Sequence, residues 1–224
     1  SSDVCSSDLN TQTGTYTLTG AGTGAKFIGI LFNGIVTGTT TNVNNNTVAA
    51  VSMTGVTGSG TSTSTPFTGI LIQEGNGVTN GNTIGSQSAT GSLVFSTTTT
   101  SATDVYGIYN FTSNAWTSNN NTVGGVSVTN LGASGTFLVY GMRAFTGSTV
   151  TWSATSNTVG GTIANSIQLN ATGTASQVVG LFTSNAPAVL TTNAVRNLTS
   201  NIGTGTTTGA SVIGINITTA TPNH

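Results

Sequence analysis

The stretch Val105-Tyr106-Gly107-Ile108-Tyr109-Asn110-Phe111, followed by Asn119-Asn120-Asn121-Thr122-Val123-Gly124-Gly125, contains two motifs that return along almost the whole chain. The first motif is an Asn, usually followed by Thr, and then a β-branched residue. Its Asn members are Asn46, Asn82, Asn121, Asn157 and Asn193, which lie 36, 39, 36 and 36 residues apart. The second motif is a Gly followed by an apolar residue, with members 40, 38, 34, 39 and 34 residues apart. Two motifs that interleave at one period predict a solenoid, a propeller or an array.

The repeated unit has the composition of short strands joined by turns. Gly, Thr, Ser and Asn dominate it, and its apolar residues do not fall at helical spacing. Each copy holds about three β-branched or aromatic runs, such as Val105–Phe111, Trp116–Val123 and Val126–Leu131. The sequence therefore predicts an all-β fold, a single-stranded parallel β-helix (β-solenoid) of five to six coils, with about 36–39 residues and three short strands per coil.

Superposing the copies predicts which side chains fill the interior of the coils. The residue after the Gly is apolar in every copy, and so is the last residue of the Asn motif. These predicted core residues are Ile30, Ile70, Ile108, Met142, Leu181, Ile215, Val48, Ile84, Val123, Val159 and Val195. The residue two before the Gly is also always apolar, so two inward positions lie three apart, which predicts a bulge or bend at the Gly. Arg143, two residues after its Gly, is then predicted to point outward.

The five Asn residues of the first motif are predicted to stack on one another in successive coils. Stacked Asn side chains can hydrogen-bond along the stack, as they do in cross-β ladders. We therefore interpret them as a structural ladder in a turn rather than as ligand-binding residues. Trp116 and Trp152 are 36 residues apart and should stack in the same way. Stacked aromatic residues can bind sugars, but a fixed place in the repeat favours packing.

Residues 1–9 read differently from the rest of the chain. Their sequence, Ser-Ser-Asp-Val-Cys-Ser-Ser-Asp-Leu, is the translation of a common short-read sequencing adapter, so we interpret them as a non-native tail. This assignment removes the single cysteine, Cys5, and two of the four acidic residues, which leaves three cations, two acids and a net charge of +1. Residues 10–224 are predicted to be one β-solenoid domain, truncated at both ends.

Composition argues against several classes of function. The chain has 3% charged residues but 35% hydrophobic residues, so a solenoid core is a better interpretation than disorder. It has no basic patch for nucleic acid and no run long enough for a membrane-spanning helix. Glycoside hydrolysis needs two cooperating carboxylates, and Glu74 and Asp104 occupy distant places in the repeat. No catalytic, cofactor-binding or metal-binding residues are predicted, and the chain is predicted not to be an enzyme.

The motifs Val-Tyr-Gly-Ile-Tyr-Asn (105–110) and Ser-Asn-Asn-Asn-Thr-Val-Gly-Gly (118–125) resemble those of β-strand-repeat surface proteins found in environmental bacterial sequences. Members of that family are long right-handed parallel β-helices, secreted or attached to the cell surface and often adhesin-like. The resemblance implies an extracellular or bacterial cell-surface location and no catalysis.

Three functions stay open at this point. The leading hypothesis is a non-catalytic structural or adhesive repeat module, whose partners are its own neighbouring repeats and surface glycans or other host or cell-surface ligands. The second is a fragment of a carbohydrate-active β-helix, related to lyases or hydrolases, with its catalytic coils outside this segment. The third is ice binding through Thr arrays, although the Thr-x-Thr runs do not keep one place in the repeat.

Overall fold

A computed structural model describes residues 16–20, 24–34, 40–145, 150–173, 175–184, 187–202 and 211–218. The proposed tail at residues 1–9 lies outside them. The described residues form an all-β parallel solenoid of about five coils, which confirms the predicted fold class.

Each coil contributes one short strand to each side of the solenoid. In chain order the strands are β1 (Tyr16–Thr19), β2 (Phe27–Asn33), β3 (Thr41–Asn44), β4 (Thr47–Val48), β5 (Val51–Val56), β6 (Phe67–Glu74), β7 (Gly77–Asn80), β8 (Thr83–Gly85), β9 (Leu93–Thr97), β10 (Thr103–Phe111), β11 (Trp116–Asn119), β12 (Thr122–Gly124), β13 (Val126–Asn130), β14 (Phe137–Phe145), β15 (Trp152–Thr155), β16 (Thr158–Val159), β17 (Ile167–Ala171), β18 (Gln177–Ser184), β19 (Ala188–Thr191), β20 (Ala194–Val195), β21 (Leu198–Ile202) and β22 (Val212–Thr218). A 3-10 turn, Ser62–Ser64, lies between β5 and β6.

The strands assemble into four parallel sheets, each running along the solenoid axis. Sheet 1 has the order β1-β5-β9-β13-β17-β21, and sheet 2 has the order β2-β6-β10-β14-β18-β22. Sheet 3 is β3-β7-β11-β15-β19, and sheet 4 is β4-β8-β12-β16-β20. Every strand pairs in parallel with its counterpart one coil away, so like residues lie beside like. The arrangement is consistent with the right-handed winding that parallel crossover connections adopt.

A complete coil has four strands, one in each sheet, whereas the sequence predicted three. The additional strand arises because a sharp corner divides the second apolar run of each copy into two strands. Trp116–Val123 becomes β11 and β12, separated by Asn120, whose φ is 51°. The residue just before the ladder Asn has a positive φ in every described coil: Asn45 57°, Gly81 68°, Asn120 51°, Ser156 56° and Thr192 53°. A left-handed residue turns the chain sharply, and Gly and Asn adopt it most readily.

The interior of the coils is filled by the predicted apolar columns. Fully buried members are Ile70, Ile108, Met142, Leu181, Val48, Ile84, Val123 and Val159. Ile30 and Val195, nearer the ends, are partly buried and pack against this interior cluster. Ile215, in the last coil, is 47% exposed.

The two sequence motifs meet inside each coil, where the Gly of one packs against the β-branched residue of the other. A Cβ added to Gly107 would lie 2.5 Å from the carbonyl oxygen of Gly141 and 2.5 Å from Cγ1 of Val123. The alternation of sides breaks at this Gly, as the sequence predicts. Val105 and Ile108 belong to the interior cluster, whereas Tyr106 and Tyr109 lie on the other face of the strand.

Candidate functional site

The ladder Asn residues form one continuous and directional column. The backbone N–H and the Nδ2 of Asn121 both donate to Oδ1 of Asn157, each at 2.9 Å. Asn82 donates in the same two ways to Oδ1 of Asn121, at 3.0 and 2.9 Å. Nδ2 of Asn121 also donates to the carbonyl oxygen of Thr79 in the preceding coil, at 3.0 Å. Each interior Asn thus ties its own corner to the coil on either side.

The same pattern links the remaining members of the column. Asn46 donates to Oδ1 of Asn82, and Asn157 donates to Oδ1 of Asn193. The donor is always in the earlier coil and the acceptor in the later one, so the ladder has a polarity along the axis.

Trp116 and Trp152 are packing residues. They lie opposite each other in register on β11 and β15 and are 1% and 0% exposed. Their indole N–H groups donate to Oγ1 of Thr79 at 3.4 Å and to Oγ of Ser118 at 3.1 Å. Because both rings are enclosed in the interior cluster, they offer no surface to a sugar.

A second buried cluster lies on the outer face of sheet 2, and we call it the outer cluster. Its buried members are Leu71, Tyr106, Tyr109, Tyr140 and Val179. The rings of Tyr106 and Tyr109 stack with centroids 4.2 Å apart, and those of Tyr106 and Tyr140 with centroids 5.4 Å apart. Sheet 2 is therefore buried on both faces in the middle of the solenoid.

A buried ion pair lies at the centre of the outer cluster. Nη1 of Arg143 is 3.2 Å from Oδ2 of Asp104, and the two side chains are 16% and 4% exposed. The same nitrogen donates to the hydroxyl of Tyr106 at 2.6 Å, and that hydroxyl donates to Oδ2 of Asp104. Cζ of Arg143 also lies 5.0 Å from the ring centroid of Tyr140. Arg143 does leave the coil interior, as predicted, but it enters an aromatic cage rather than solvent.

Residues 60–65, which we call the covering loop, close over this ion pair. The backbone N–H of Asp104 donates to the carbonyl oxygen of Gly60 at 2.9 Å. Ser62 offers its backbone N–H to Oδ2 of Asp104 at 3.5 Å, and its hydroxyl lies 3.4 Å from that of Tyr109. The hydroxyl of Thr65 donates to the carbonyl oxygen of Asp104. Asp104 is thus the residue on which the loop, the sheet and the arginine converge.

Burial shifts the protonation equilibria of these groups. It raises the pKa of Asp104 above its ordinary value, against the opposing effects of the Tyr106 hydrogen bond and the Arg143 charge. Protonation of Asp104 therefore favours the folded state, and the free energy of unfolding decreases as the pH rises from the ordinary pKa of this carboxyl through its folded-state pKa. Burial also raises the pKa of Tyr106 and Tyr109, and it raises the pKa of Tyr140 to about 12.

The arrangement around Asp104 can act as a clamp that holds the covering loop against sheet 2. Oδ1 of Asp104 and Nε of Arg143 are buried without a hydrogen-bond partner, so the pair is enclosed without being fully satisfied. Asp104 is bound to Arg143, Tyr106 and Ser62, and Glu74, the other candidate carboxylate, is not among its partners. A carboxylate held this way fixes a loop to a sheet.

The sequence pattern did not identify the outer cluster, although it contained one signal. Asp104 and Arg143 are opposite charges in a chain with few charges, and they lie 39 residues apart, which is one period of the repeat. Charges one period apart fall on neighbouring coils.

A row of Thr side chains lies beside the Asn ladder on the outer side of sheet 4. Its members are Thr47, Thr83, Thr122 and Thr158, which pair in register along the sheet. The hydroxyl of Thr122 donates to that of Thr83 at 3.2 Å. This row consists of the Thr residues of the Asn motif, which keep one place in the repeat, and not of the Thr-x-Thr runs.

Across the described ranges, no three or more His, Cys, Asp or Glu side chains are grouped so that they could hold a metal ion. The same part of the chain has no helix that is long and apolar enough to cross a membrane.

No family model, no curated protein and no solved structure matches the chain. The likeness to bacterial surface repeat proteins therefore rests on the two sequence motifs.

Proposed function

We propose that the chain is a non-catalytic structural and adhesive repeat module of a secreted or cell-surface bacterial protein. The observation that carries the proposal is the unbroken stack of like residues. The interior columns and the Asn ladder pass in register through the described coils, so that a deformation of one coil strains its neighbours. Such a stack makes a stiff rod, which is what a spacer needs.

The outer surface of this rod suits contact with a hydroxyl-rich ligand such as a surface glycan. The Thr row of sheet 4 and the corner beside it expose hydroxyl and amide groups, for example Asn80 and Asn120, which are hydrogen-bonded to each other at 3.0 Å. Neighbouring coils repeat these groups about every 4.8 Å along the axis. Neutral donors and acceptors at a fixed interval can bind a repeating polysaccharide without depending on charge.

Binding to a glycan array and to bacterial or host cell surfaces tests the adhesive role. The variant Thr83→Val/Thr122→Val/Thr158→Val removes the hydroxyls of the row while nearly preserving side-chain volume, and we expect it to weaken binding. The control, Thr54→Val/Thr129→Val, replaces Thr by Val at two positions on the outer side of sheet 1 and should bind like the wild type. Equal binding by the two variants would show that the Thr row of sheet 4 is not the binding surface. Cleavage or elimination products from a polysaccharide panel would overturn the non-catalytic assignment.

The Thr row also supports ice binding as a second candidate function. Four Thr side chains in register form a one-dimensional array of hydroxyl and methyl groups at a constant interval. Thermal hysteresis measured on the purified chain tests this function, and the same Thr-to-Val variant should abolish any hysteresis. A wild-type solution that freezes without hysteresis would dismiss it.

A further inference from the structure

The covering loop does not match the outer cluster in polarity. Its sequence, Gly-Thr-Ser-Thr-Ser-Thr (60–65), has no apolar side chain, yet it covers a site in which Tyr106 and Tyr109 are both 0% exposed. No residue of its 3-10 turn is buried. A loop that closed an aromatic cluster permanently would gain most by burying apolar side chains of its own. A polar loop suits a cover that can be displaced.

The two ends of the covering loop are held more firmly than its tip. At the ends, the carbonyl oxygen of Gly60 accepts from the backbone N–H of Asp104 at 2.9 Å, and the hydroxyl of Thr65 donates to the carbonyl oxygen of Asp104. At the tip, Ser62 reaches the side chains of Asp104 and Tyr109 over 3.5 and 3.4 Å, which is the outer limit of hydrogen bonding. Ser62 also has a φ of 56°, a left-handed conformation that costs energy in a residue other than Gly. The tip can therefore move while the ends stay in place.

The site under the loop contains polar atoms that the loop leaves unsatisfied. Oδ1 of Asp104 and Nε of Arg143 are buried without a hydrogen-bond partner, in side chains that are 4% and 16% exposed. A carboxylate accepts and a guanidinium donates, so the two side by side can bind neighbouring hydroxyls of one ligand. The hydroxyls of Tyr106 and Tyr109 add further hydrogen-bonding groups, and the ring of Tyr140 adds an apolar wall for C–H groups. Because the charges of Asp104 and Arg143 cancel, the site suits a neutral ligand.

We propose that the covering loop is a lid over a binding site for one neutral sugar ring, formed by Asp104, Arg143 and the tyrosines of the outer cluster. A sugar ring combines adjacent hydroxyls with an apolar C–H face, which is the combination that this site offers. In the closed state, the backbone N–H and the hydroxyl of Ser62 occupy positions that two sugar hydroxyls take in the open state. The site lies on sheet 2, whereas the Thr row lies on sheet 4, so the inference does not depend on the adhesive surface proposed above.

Lys26 provides a way to loosen the lid without altering the site. Its Nζ donates to the carbonyl oxygen of Thr63 at the tip, and this contact is exposed. Lys26→Met removes the contact and keeps an unbranched side chain. Because the apparent affinity of a site increases with the population of its open state, we expect the variant to bind the sugar about threefold more tightly than the wild type.

Arg143→Lys changes the site and should have the opposite effect. It keeps the positive charge beside Asp104 but loses the planar guanidinium fork, so we expect it to bind the sugar at least about tenfold more weakly. Circular dichroism establishes whether each variant is folded. Lys26→Met changes an exposed residue and tests the lid even if Arg143→Lys does not fold.

Isothermal titration calorimetry of the full chain measures binding, with methyl glucoside, methyl galactoside and methyl mannoside as neutral probes and glucuronic acid as the anionic comparison. We expect at least one neutral probe to bind, and to bind more tightly than glucuronic acid, because Asp104 repels a second carboxylate. The variant Thr83→Val/Thr122→Val/Thr158→Val should bind this probe like the wild type. That result separates the site from the Thr row, whose failure to bind a glycan would leave this site unaffected.

Hydrogen exchange with and without the bound probe tests the lid. Binding should speed exchange of the amides in residues 61–64, because the Ser62 N–H leaves Asp104, while the amides of β10 stay protected. Failure of all three methyl glycosides to bind, or tighter binding of glucuronic acid, would overturn the proposal. So would binding that Lys26→Met does not strengthen, or binding that leaves exchange in residues 61–64 unchanged.

Discussion

Sheet 2 buries side chains on both of its faces, but the two faces are organised differently. On the inner face the same type of residue recurs in every coil, as in the column that contains Ile70, Ile108 and Met142. On the outer face the residues change from coil to coil, and the register row through Leu71 and Tyr109 reaches Arg143 in the next coil. The inner face is stabilised by repetition, and the outer face by one particular ion pair and the loop above it.

The largest effect is expected from breaking the repeated ladder in its middle. Asn121→Ala removes the acceptor of the Asn82 backbone N–H and Nδ2, and it removes the donor to the carbonyl oxygen of Thr79. With Oδ1 of Asn157, which loses the Nδ2 donor of Asn121, four polar groups in the interior lose a hydrogen bond. Each such loss costs about 1–3 kcal/mol, so we expect the free energy of unfolding to fall by roughly 5 kcal/mol. Denaturant unfolding followed by circular dichroism measures it.

The end of the ladder supplies the control for this change. Asn193 is only partly buried, so water can replace the hydrogen bonds that Asn193→Ala removes. We expect a loss of about 1–2 kcal/mol there. Equal losses at Asn121 and Asn193 would contradict the claim that enclosure between two coils gives the ladder its strength.

The next largest effect is expected from the ion pair on the outer face. Asp104→Leu leaves Arg143 charged and buried, and removal of one partner of a buried pair costs about 3–5 kcal/mol. Arg143→Met should cost less, because burial already raises the pKa of Asp104 and the acid can take up a proton. The double variant Asp104→Leu/Arg143→Met should be more stable than Asp104→Leu alone, as a double-mutant cycle can show. Additive losses would mean that the two residues act separately.

The two faces also differ in how far the sequence predicts them. The inner face was predictable because stacking needs the same residue type at the same place in each copy, and Val48, Ile84, Val123 and Val159 show this directly. The fourth sheet was not predictable, because the residues at the corner that creates it share a positive φ but not a side-chain type. These corner residues are Asn45, Gly81, Asn120, Ser156 and Thr192. The outer cluster was not predicted because the charges of Asp104 and Arg143 do not recur at the equivalent positions of the neighbouring coils. In addition, no periodic feature of the sequence places residues 60–65 above them.

High pH should destabilise the packing on the outer face of sheet 2, which contains the tyrosines, before it affects the packing on the inner face. Burial raises the pKa of Tyr140 from 10.0 to about 12. The unfolded chain therefore loses this proton first, and the free energy of unfolding should fall as the pH rises through that interval. Tyrosinate absorbance and circular dichroism, recorded together, should change in one transition. Tyr140→Phe should reduce this loss of stability with pH, and an unchanged pH dependence would contradict the assignment.

The smallest effect comes from one substitution made on two outer faces. Val94 lies on the outer side of sheet 1, between Ser52 and Ser127 of the neighbouring coils. Val94→Thr adds a hydroxyl beside these two hydroxyls, so it should change the free energy of unfolding by less than about 0.5 kcal/mol. Val179, on the outer face of sheet 2, is 2% exposed within the outer cluster, and Val179→Thr should cost about 1–3 kcal/mol because its hydroxyl is buried among apolar and aromatic groups. Thermal unfolding of the two variants compares the faces directly. If both substitutions were neutral, the outer face of sheet 2 would be hydrated like that of sheet 1, and the ion pair could not be the buried clamp described above.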